Sequence, residues 1–309
     1  MALLDLQNIS IIKEVHEITL TAELESQILA MPKGEKRLEL SQLNAEEVSV
    51  YKFTYISNGH KVIGYLVEPK KITEPLPCII FNRGGSKEVS QWSDGHMFGN
   101  FVAKYAKWGY VSITTQYSGN DGGEGVDEYG GADTLDVITL KNILDEYKFA
   151  DSLRIGMTGA SRGGLMTYLS IAQTTWLKAA IIMAAPTNVD TLYSSRDDGI
   201  KDFHRTMYNV DDINEIIKRS PIKWVEKFCK TTPVLLIHGT SDWRVQVTDT
   251  LSMAHRMLEE KIPYKLIIYP GADHFLGDVI AEIDAETKQW LDMYVKENKS
   301  LPNMELHGV

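Results

Sequence analysis

The chain has 309 residues, of which 43% are hydrophobic and 24% are charged, a balance typical of a globular protein with a sizeable core. Its formal net charge of −10 argues against nucleic acid or an anionic membrane surface as the main partner. Its two cysteines do not suggest a disulfide framework. The N-terminus lacks a secretory leader pattern, and no apolar run reaches transmembrane length. We therefore expect a cytoplasmic protein.

Residues 1–45 are expected to form an N-terminal extension, because they show no regular strand pattern. One helix is predicted over residues 18–31, ended by Pro32 and Gly34. No candidate catalytic residue lies in this extension. We expect it to pack on the main domain or on a second subunit, which would make the protein a homo-oligomer.

Residues 46–309 are expected to form one catalytic domain, which begins with a hairpin. Residues 50–56 alternate in the manner of a strand, and residues 62–67 are predicted to form the returning strand. The dipeptide Asn58-Gly59 between them is a strong signal for a two-residue turn.

A glycine pair follows the next predicted strand. The apolar run 77–81 is typical of a strand buried on both faces. Gly84 and Gly85 come directly after it, where the absence of side chains lets backbone N–H groups approach a ligand closely. This segment is therefore predicted to be an oxyanion loop, with a plain connecting loop as the alternative.

The loop at residues 117–127 is rich in glycine and carboxylates. Its spacing does not match a twelve-residue calcium loop, because no glutamate closes it at the required position. We therefore expect a solvated loop at the rim of the site and no metal. Predicted helices at 98–108 and 134–147 enclose a strand at 110–115.

The centre of the chain matches a nucleophile elbow. Residues 153–158 suit a buried strand and the residues after Gly163 suit a helix. Between them lies Gly159-Ala160-Ser161-Arg162-Gly163, which matches the pattern G-x-S-x-G. In that motif the strand turns sharply into the helix and leaves the serine exposed at the tip. Ser161 is therefore the candidate nucleophile.

The same letters also resemble the cofactor loop of short-chain dehydrogenases, which would make the protein an NAD(P)-binding oxidoreductase. That loop follows the first strand and continues with a third spaced glycine, whereas this one lies in mid-chain and continues Gly164-Leu165. The Tyr-x-x-x-Lys pair of those enzymes is missing as well. A non-catalytic protein with an idle serine is the other alternative. We expect no cofactor.

Strands and helices continue to alternate beyond the elbow. Strands are predicted at 179–183, 233–239 and 265–269, and helices at 247–260 and 279–297. Such alternation predicts an α/β fold with a mostly parallel central sheet and helices on both faces. Residues 187–231 are expected to form a short helical lid over the strand ends, with His204 as an ordinary surface residue.

Ser161, Asp242 and His274 each follow the C-terminal end of a predicted buried strand, which is the edge where open α/β sheets form their sites. A serine hydroxyl needs a base to take its proton, histidine has a suitable pKa, and a carboxylate fixes the histidine tautomer. The chain order Ser, Asp, His is that of an α/β-hydrolase. His238 is expected to be structural, and Asp273 is the competing acid.

Residues 46–297 resemble the catalytic domain of the prolyl oligopeptidase family of serine peptidases, which has the α/β-hydrolase fold. The resemblance rests on four segments, Gly-Ala-Ser-Arg-Gly-Gly at 159–164, Arg-Ser-Pro at 219–221, His-Gly-Thr-Ser-Asp-Trp-Arg-Val at 238–245 and Gly-Ala-Asp-His-Phe at 271–275. It implies that Ser161, Asp242 and His274 are the triad. It also implies that the backbone N–H groups of Gly85 and Arg162 form the oxyanion hole.

The chain departs from that family at three points. Arg162 stands where many members have tyrosine, and Arg83 stands where some have tyrosine or histidine. Only about 45 residues precede the first strand, so no β-propeller is expected to select short peptides. Peptide specificity therefore cannot be carried over from the family. The substrate is expected to be a short peptide or a small ester, with a carboxylesterase of small acyl groups as the alternative. Arg83 and Arg162 are predicted to bind a substrate carboxylate, or else to pair with Glu124 or Asp127.

Overall fold

The computed structural model describes residues 2–87, 91–194 and 197–308. In this part of the chain one sheet of nine strands runs in the order β1-β2-β3-β5-β4-β6-β7-β8-β9. The strands are β1 Ile12–Ile18, β2 Val48–Ser57, β3 His60–Pro69, β4 Leu76–Asn82, β5 Val111–Thr115, β6 Ala150–Ala160, β7 Leu177–Met183, β8 Val234–Gly239 and β9 Tyr264–Tyr269.

Helices separate most of the strands, as the alternating sequence pattern predicts. They are α1 Ala2–Gln7, α2 Ala22–Leu29, α3 Gly34–Glu47, α4 Asp94–Met97, α5 Ala103–Lys107, α6 Thr134–Glu146, α7 Arg162–Ile171, α8 Val189–Ser194, α9 Asp198–Arg205, α10 Ile213–Lys218, α11 Val247–Glu259 and α12 Ile280–Leu291. None of the helices in the described ranges is long and apolar enough to cross a bilayer.

The two ends of the sheet differ in strand direction. The pairs β1–β2, β2–β3 and β3–β5 are antiparallel, whereas β7–β8 and β8–β9 are parallel. The β2–β3 hairpin closes at the pair Ser57 and His60, and both turn residues, Asn58 and Gly59, have positive φ, as a two-residue hairpin turn requires. The predicted α/β fold with a mostly parallel central sheet is confirmed, with antiparallel strands at its N-terminal end.

The chain forms two compact units. The first comprises Met1–Phe81, Ser86–Asp127 and Leu135–Ile155, and the second comprises Asn82–Gly85, Glu128–Thr134 and Gly156–Val309. In the first unit the buried Tyr55 hydroxyl bonds to Thr115 and to the carbonyl of Asp136. The second unit contains Ser161, Asp242 and His274, so the candidate site lies within one unit.

The first 47 residues hold more structure than the sequence indicates. The helix predicted over residues 18–31 is shorter in the structure, since α2 starts after Thr21, whose hydroxyl accepts a hydrogen bond from the N–H of Leu24. The polar stretch that follows is helix α3. Residues Ile12–Ile18 form β1, which pairs with β2. Most side chains of β1 are exposed, so the strand lacks the apolar alternation that would have revealed it.

The region 187–231 contains the short helices α8, α9 and α10, as expected for that segment. His204 on α9 is not an ordinary surface residue, because only 6% of its surface is exposed. Its Nδ1 lies 3.1 Å from the hydroxyl of Tyr208, and its ring packs on Tyr129. Aromatic neighbours supplied by other segments bury this histidine, and the local polar sequence gave no sign of them.

Candidate active site

Ser161 occupies the turn between β6 and α7. Its backbone has φ 56° and ψ −125°, a strained conformation for a residue with a side chain. The surrounding backbone holds it there, because its N–H donates to the carbonyl of Met183 at 2.9 Å. Its own carbonyl accepts from the N–H groups of Gly164 and Leu165. The predicted strand, sharp turn and helix are therefore confirmed at this position.

Two glycines of the elbow are required by close backbone contacts. A Cβ on Gly159 would lie 2.2 Å from the carbonyl oxygen of Gly163. A Cβ on Gly163 would lie 2.0 Å from the carbonyl oxygen of Asn82, which ends β4. The elbow therefore packs directly on the end of β4, where the Gly84-Gly85 segment begins.

Asp242 and His274 meet at the ends of neighbouring strands. Asp242 follows β8 and His274 follows β9, and Oδ2 of the aspartate lies 2.8 Å from Nδ1 of the histidine. The other carboxylate oxygen, Oδ1, accepts from the N–H of Arg244 at 2.7 Å and of Val245 at 2.9 Å. Both oxygens are thus held, so the carboxylate has a fixed orientation toward the imidazole.

His238 is a second partner of this carboxylate. Its Nε2 lies 3.0 Å from Oδ2 of Asp242 and 3.0 Å from the carbonyl oxygen of Val245. A carbonyl oxygen can only accept, so Nε2 carries the hydrogen and Nδ1 accepts from the Thr250 hydroxyl at 2.7 Å. The sequence predicts a structural role for His238, and the structure shows that it orients the Asp242 carboxylate.

The hydrogen bonds around Asp242 determine its charge. Burial alone would raise the pKa of this carboxyl, but hydrogen bonds from His238, His274 and Val245 outweigh it and hold the pKa well below its usual range. The group is therefore an anion that can only accept hydrogen bonds. Nδ1 of His274 then carries its hydrogen toward Asp242, which leaves Nε2 as the basic nitrogen.

The Gly84-Gly85 segment lies against the elbow. A Cβ built on Gly84 would lie 3.2 Å from the carbonyl oxygen of Ala160 and 3.7 Å from Cβ of Ser161. Gly85 has φ 70°, which favours glycine. Helix α7 begins at Arg162, and the first N–H groups of a helix have no partner within it. The Gly84 backbone and the start of α7 thus both lie close to Ser161.

The side chain of Arg162 turns into the protein. It is 1% exposed, and its Nη2 lies 2.6 Å from Oδ2 of Asp133, which is also buried. Its Nη1 donates to the carbonyl of Gly85 at 3.0 Å, and the guanidinium carbon lies 5.3 Å from the ring centre of Tyr129. Arg162 therefore pairs with Asp133, a carboxylate that was not considered from the sequence.

Arg83 is likewise only 1% exposed, and its Nη1 donates to the carbonyl of Gly84 at 3.2 Å. The two carboxylates considered as partners for the arginines accept hydrogen bonds from backbone N–H groups. Glu124 accepts from the N–H of Lys61, and Asp127 accepts from the N–H of Lys87. Neither geometry supports the prediction that Arg83 and Arg162 bind a substrate carboxylate.

Sequence reasoning missed an aromatic rim beside the Asp242–His274 pair. Trp243 is 66% exposed and Phe275 is 65% exposed, and the Arg244 guanidinium carbon lies 4.9 Å and 4.8 Å from their ring centres. The available signal was adjacency, since each aromatic residue follows a proposed triad residue. Asp133 was missed as well, and nothing in the sequence distinguishes it from the other carboxylates of its segment.

Asp121 in the carboxylate-rich loop contacts side chains of strands β2 and β3. Oδ2 of Asp121 lies 2.9 Å from Nζ of Lys52 and 3.2 Å from the hydroxyl of Tyr65. Within residues 2–87, 91–194 and 197–308 there is no group of three or more His, Cys, Asp or Glu side chains arranged to hold a metal ion.

Solved structures with a similar fold include an acylaminoacyl peptidase of Pyrococcus horikoshii, with a TM-score of 0.68 at 22% identity, covering 81% of this chain and 42% of that one. A putative dienelactone hydrolase from Klebsiella pneumoniae has a TM-score of 0.60 at 15% identity, covering 80% of this chain and 99% of that one. These likenesses show the α/β-hydrolase fold.

The chain matches most of one curated relative but only part of another. An uncharacterized peptidase, YtmA, of Bacillus subtilis is 26% identical over 75% of this chain and 88% of its own. The acylamino-acid-releasing enzyme of Mus musculus is 27% identical over 71% of this chain but only 32% of its own, so the chain spans about a third of that relative.

The acetyl xylan esterase (AXE1) family model matches residues 23–135. The prolyl oligopeptidase family model matches residues 97–298, which contain all three proposed triad residues, and the chain therefore belongs to the prolyl oligopeptidase family of serine hydrolases.

Proposed function

We propose that this hydrolase cleaves an ester or peptide bond through an acyl-enzyme formed on Ser161. In this mechanism the Ser161 hydroxyl attacks the carbonyl carbon while Nε2 of His274 takes its proton. Asp242 holds the imidazole and stabilises its protonated form. The backbone N–H groups of Gly85 and Arg162 stabilise the negative oxygen of the tetrahedral intermediate.

The intermediate then collapses with loss of the amine or alcohol, which takes the proton from His274. Water, activated by the same histidine, attacks the acyl-enzyme and releases the acid, which restores the Ser161 hydroxyl. The observation that carries the proposal is the 2.8 Å contact between Asp242 Oδ2 and His274 Nδ1. This contact is formed by an ionised carboxylate and leaves Nε2 as the base.

A fluorophosphonate probe tests the assignment of the nucleophile. We expect it to label the wild type at Ser161 and to leave Ser161→Ala unlabelled. Ser241→Ala is the matched control, because Ser241 is an exposed serine next to Asp242, and this variant should be labelled normally. Labelling at another residue, or an unlabelled wild type that is folded, would refute the proposal.

We propose short peptides or N-acylated amino acids as the substrate class, supported by the family and by the similarity to acylamino-acid-releasing enzymes. The second candidate is a small acyl ester, supported by the match of residues 23–135 to an esterase family. Rates on aminoacyl, N-acylaminoacyl and dipeptidyl nitroanilides, compared with those on p-nitrophenyl acyl esters, decide between them. Turnover of esters alone would favour the esterase.

We further propose that the protein acts in the cytoplasm, without a nucleic-acid or membrane partner. The free state of Cys78 and Cys229 supports this location. The net charge of −10 supports the absence of a nucleic-acid or membrane partner. Assembly into a homo-oligomer through residues 1–45 is also proposed. Light scattering on the purified chain tests it, and a monomer at all concentrations would refute it.

A further inference from the structure

Two buried guanidinium groups bond to consecutive carbonyls of the proposed oxyanion loop. Arg83 donates to the carbonyl of Gly84 at 3.2 Å, and Arg162 donates to the carbonyl of Gly85 at 3.0 Å. Both arginines are 1% exposed. The two charges therefore act on the loop backbone from inside the protein, where water screens them little.

The first of these contacts involves the peptide unit that carries a proposed catalytic donor. The carbonyl of Gly84 and the N–H of Gly85 belong to the same peptide group. A cation bonded to the carbonyl oxygen polarises the group, which makes the N–H at its other end a stronger donor. The Arg83 contact thus supports both the direction and the strength of the Gly85 N–H.

The second contact is anchored by a buried carboxylate. Asp133 is 1% exposed, its Oδ2 lies 2.6 Å from Nη2 of Arg162, and its Oδ1 accepts from the N–H of Gly130 at 3.0 Å. The Tyr129 ring packs on the guanidinium group. Both ends of the ion pair are fixed, so Arg162 can hold the Gly85 carbonyl in one place.

A stabilising role alone explains this ion pair poorly. Burying two charges costs much of what their attraction returns, and a buried ion pair often stabilises a fold no more than apolar side chains of the same size. A planar guanidinium group can, however, bond to a carboxylate and a carbonyl at the same time in fixed directions. The arrangement is suited to fixing the Gly85 backbone relative to α7, which starts with Arg162 itself.

We propose that Arg83 and Arg162, the latter held by Asp133, are positioning residues that fix the oxyanion loop, and that they do not bind a substrate carboxylate. This inference rests on the proposed function, because it concerns the donor that Gly85 supplies in that mechanism. The two arginines act through the loop backbone and need no contact with the substrate.

The test compares Arg162→Met, Arg162→Lys and Asp133→Asn with the wild type. The Met variant should lower kcat by about tenfold to a hundredfold with KM changed less than threefold, less than the loss seen when an oxyanion donor is removed outright. Lysine keeps the charge beside Asp133 but lacks the fork that also reaches Gly85. Compared with Arg162→Met, Arg162→Lys should therefore have a higher thermal stability but the same low kcat.

Arg219→Met is the matched control. Arg219 is also 1% exposed and pairs with Glu215, but its Nε bonds to the carbonyl of Glu128 and its guanidinium carbon lies 4.6 Å from the Tyr208 ring centre. We expect this variant to lose thermal stability while the folded enzyme keeps wild-type kcat. If kcat falls in step with melting temperature across all four variants, the arginines are structural and the proposal is overturned.

Two further measurements separate the remaining explanations. Neutral and carboxylate-bearing esters of matched size should lose rate equally in Arg83→Met and Arg162→Met, and a selective loss of the charged ester would show substrate binding instead. A trifluoromethyl ketone, which forms a tetrahedral oxyanion on the serine, should bind more weakly to both variants in proportion to the loss in kcat/KM. An unchanged affinity would overturn the proposal.

The failure of this inference is distinguishable from failure of the proposed function. If Ser161→Ala retains wild-type turnover, the proposed mechanism is wrong and the loop has no such role. If Ser161→Ala is inactive while Arg83→Met and Arg162→Met keep wild-type kcat, the mechanism stands and only the positioning role is refuted.

Discussion

Oδ2 of Asp242 lies 2.8 Å from Nδ1 of His274, although the two residues are far apart in sequence and His274 has another aspartate directly before it. That neighbour, Asp273, bonds through Oδ1 to the N–H groups of Phe275 and Leu276 at 2.9 Å and 3.1 Å. Asp273 therefore stabilises the turn that carries the histidine.

The competition between the two acids can be measured directly. We expect Asp242→Asn to lower kcat by about a thousandfold or more, because the imidazole loses the carboxylate that fixes its tautomer. Asp273→Asn should keep near-normal kcat, since asparagine can still accept both backbone hydrogen bonds. Steady-state kinetics on any accepted ester checks both variants. A large loss in Asp273→Asn with a near-normal Asp242→Asn would reverse the assignment.

His238 is expected to matter through Asp242. Replacing it by leucine removes one hydrogen bond to the carboxylate and leaves the Thr250 hydroxyl and the Val245 carbonyl without their partner. We expect kcat to fall by about tenfold and the free energy of unfolding to fall by about 1–3 kcal/mol. Thr250→Val, which spares the bond to Asp242, should lower stability with little effect on kcat. Equal effects of both variants on kcat would contradict this role.

Gly163 should not tolerate a side chain. The added Cβ of Gly163→Ala would lie 2.0 Å from the carbonyl oxygen of Asn82, so either the elbow or the end of β4 must move. We expect a loss of about 3 kcal/mol in the free energy of unfolding, measured by chemical denaturation, and a large loss of kcat. Gly277→Ala is the control, since a Cβ there has no atom within 4 Å. An active, stable Gly163→Ala would refute the close contact.

Glu68 gives the fold a dependence on pH that is separate from catalysis. Burial raises its pKa to about 7, although a hydrogen bond from the Tyr147 hydroxyl partly opposes the shift. Because the pKa of Glu68 is higher in the folded state, the contribution of Glu68 to stability is greatest below the unfolded pKa of about 4.3. That contribution is lost as pH rises through 7. Relative to Glu68→Gln, the wild type should lose about 2–3 kcal/mol between pH 5 and pH 8.

Denaturant unfolding of both proteins at the two pH values measures this difference. Glutamine can still accept the Tyr147 hydrogen bond, so the comparison isolates the charge of Glu68. A stability difference that does not vary between pH 5 and pH 8 would show that Glu68 titrates normally. Glu146 is an exposed reference, and the stability difference between the wild type and Glu146→Gln should show no such loss as pH rises over this range.

The elbow and the Asp242–His274 pair could be predicted because their signals are local and ordered. A strand, a sharp turn and a helix leave a readable pattern around Ser161, and parallel strands place residues that follow them at one sheet edge. The turn at Asn58-Gly59 is another local signal. In each case the chemistry of a few neighbouring residues determines the structure.

The features that escaped prediction depend on distant partners. The side chain of Arg162 points to Asp133 because tertiary packing buries both, and a lone arginine beside a nucleophile gives no direction. His204 is buried by aromatic rings from other segments. Strand β1 takes its place by pairing with β2 along its backbone, and backbone hydrogen bonding leaves no mark on side-chain pattern.

Strand β1 also bears on the handling of this protein. It is the outermost strand at one end of the sheet, and its mostly exposed residues include Lys13, Glu14, His16 and Glu17, the kind of charged edge that discourages pairing with other chains. A chain shortened to begin at residue 46 would lose β1 and uncover the backbone of β2, which is rich in β-branched and aromatic residues. Such an edge recruits strands from other molecules, so the shortened protein should aggregate where the full chain stays dispersed.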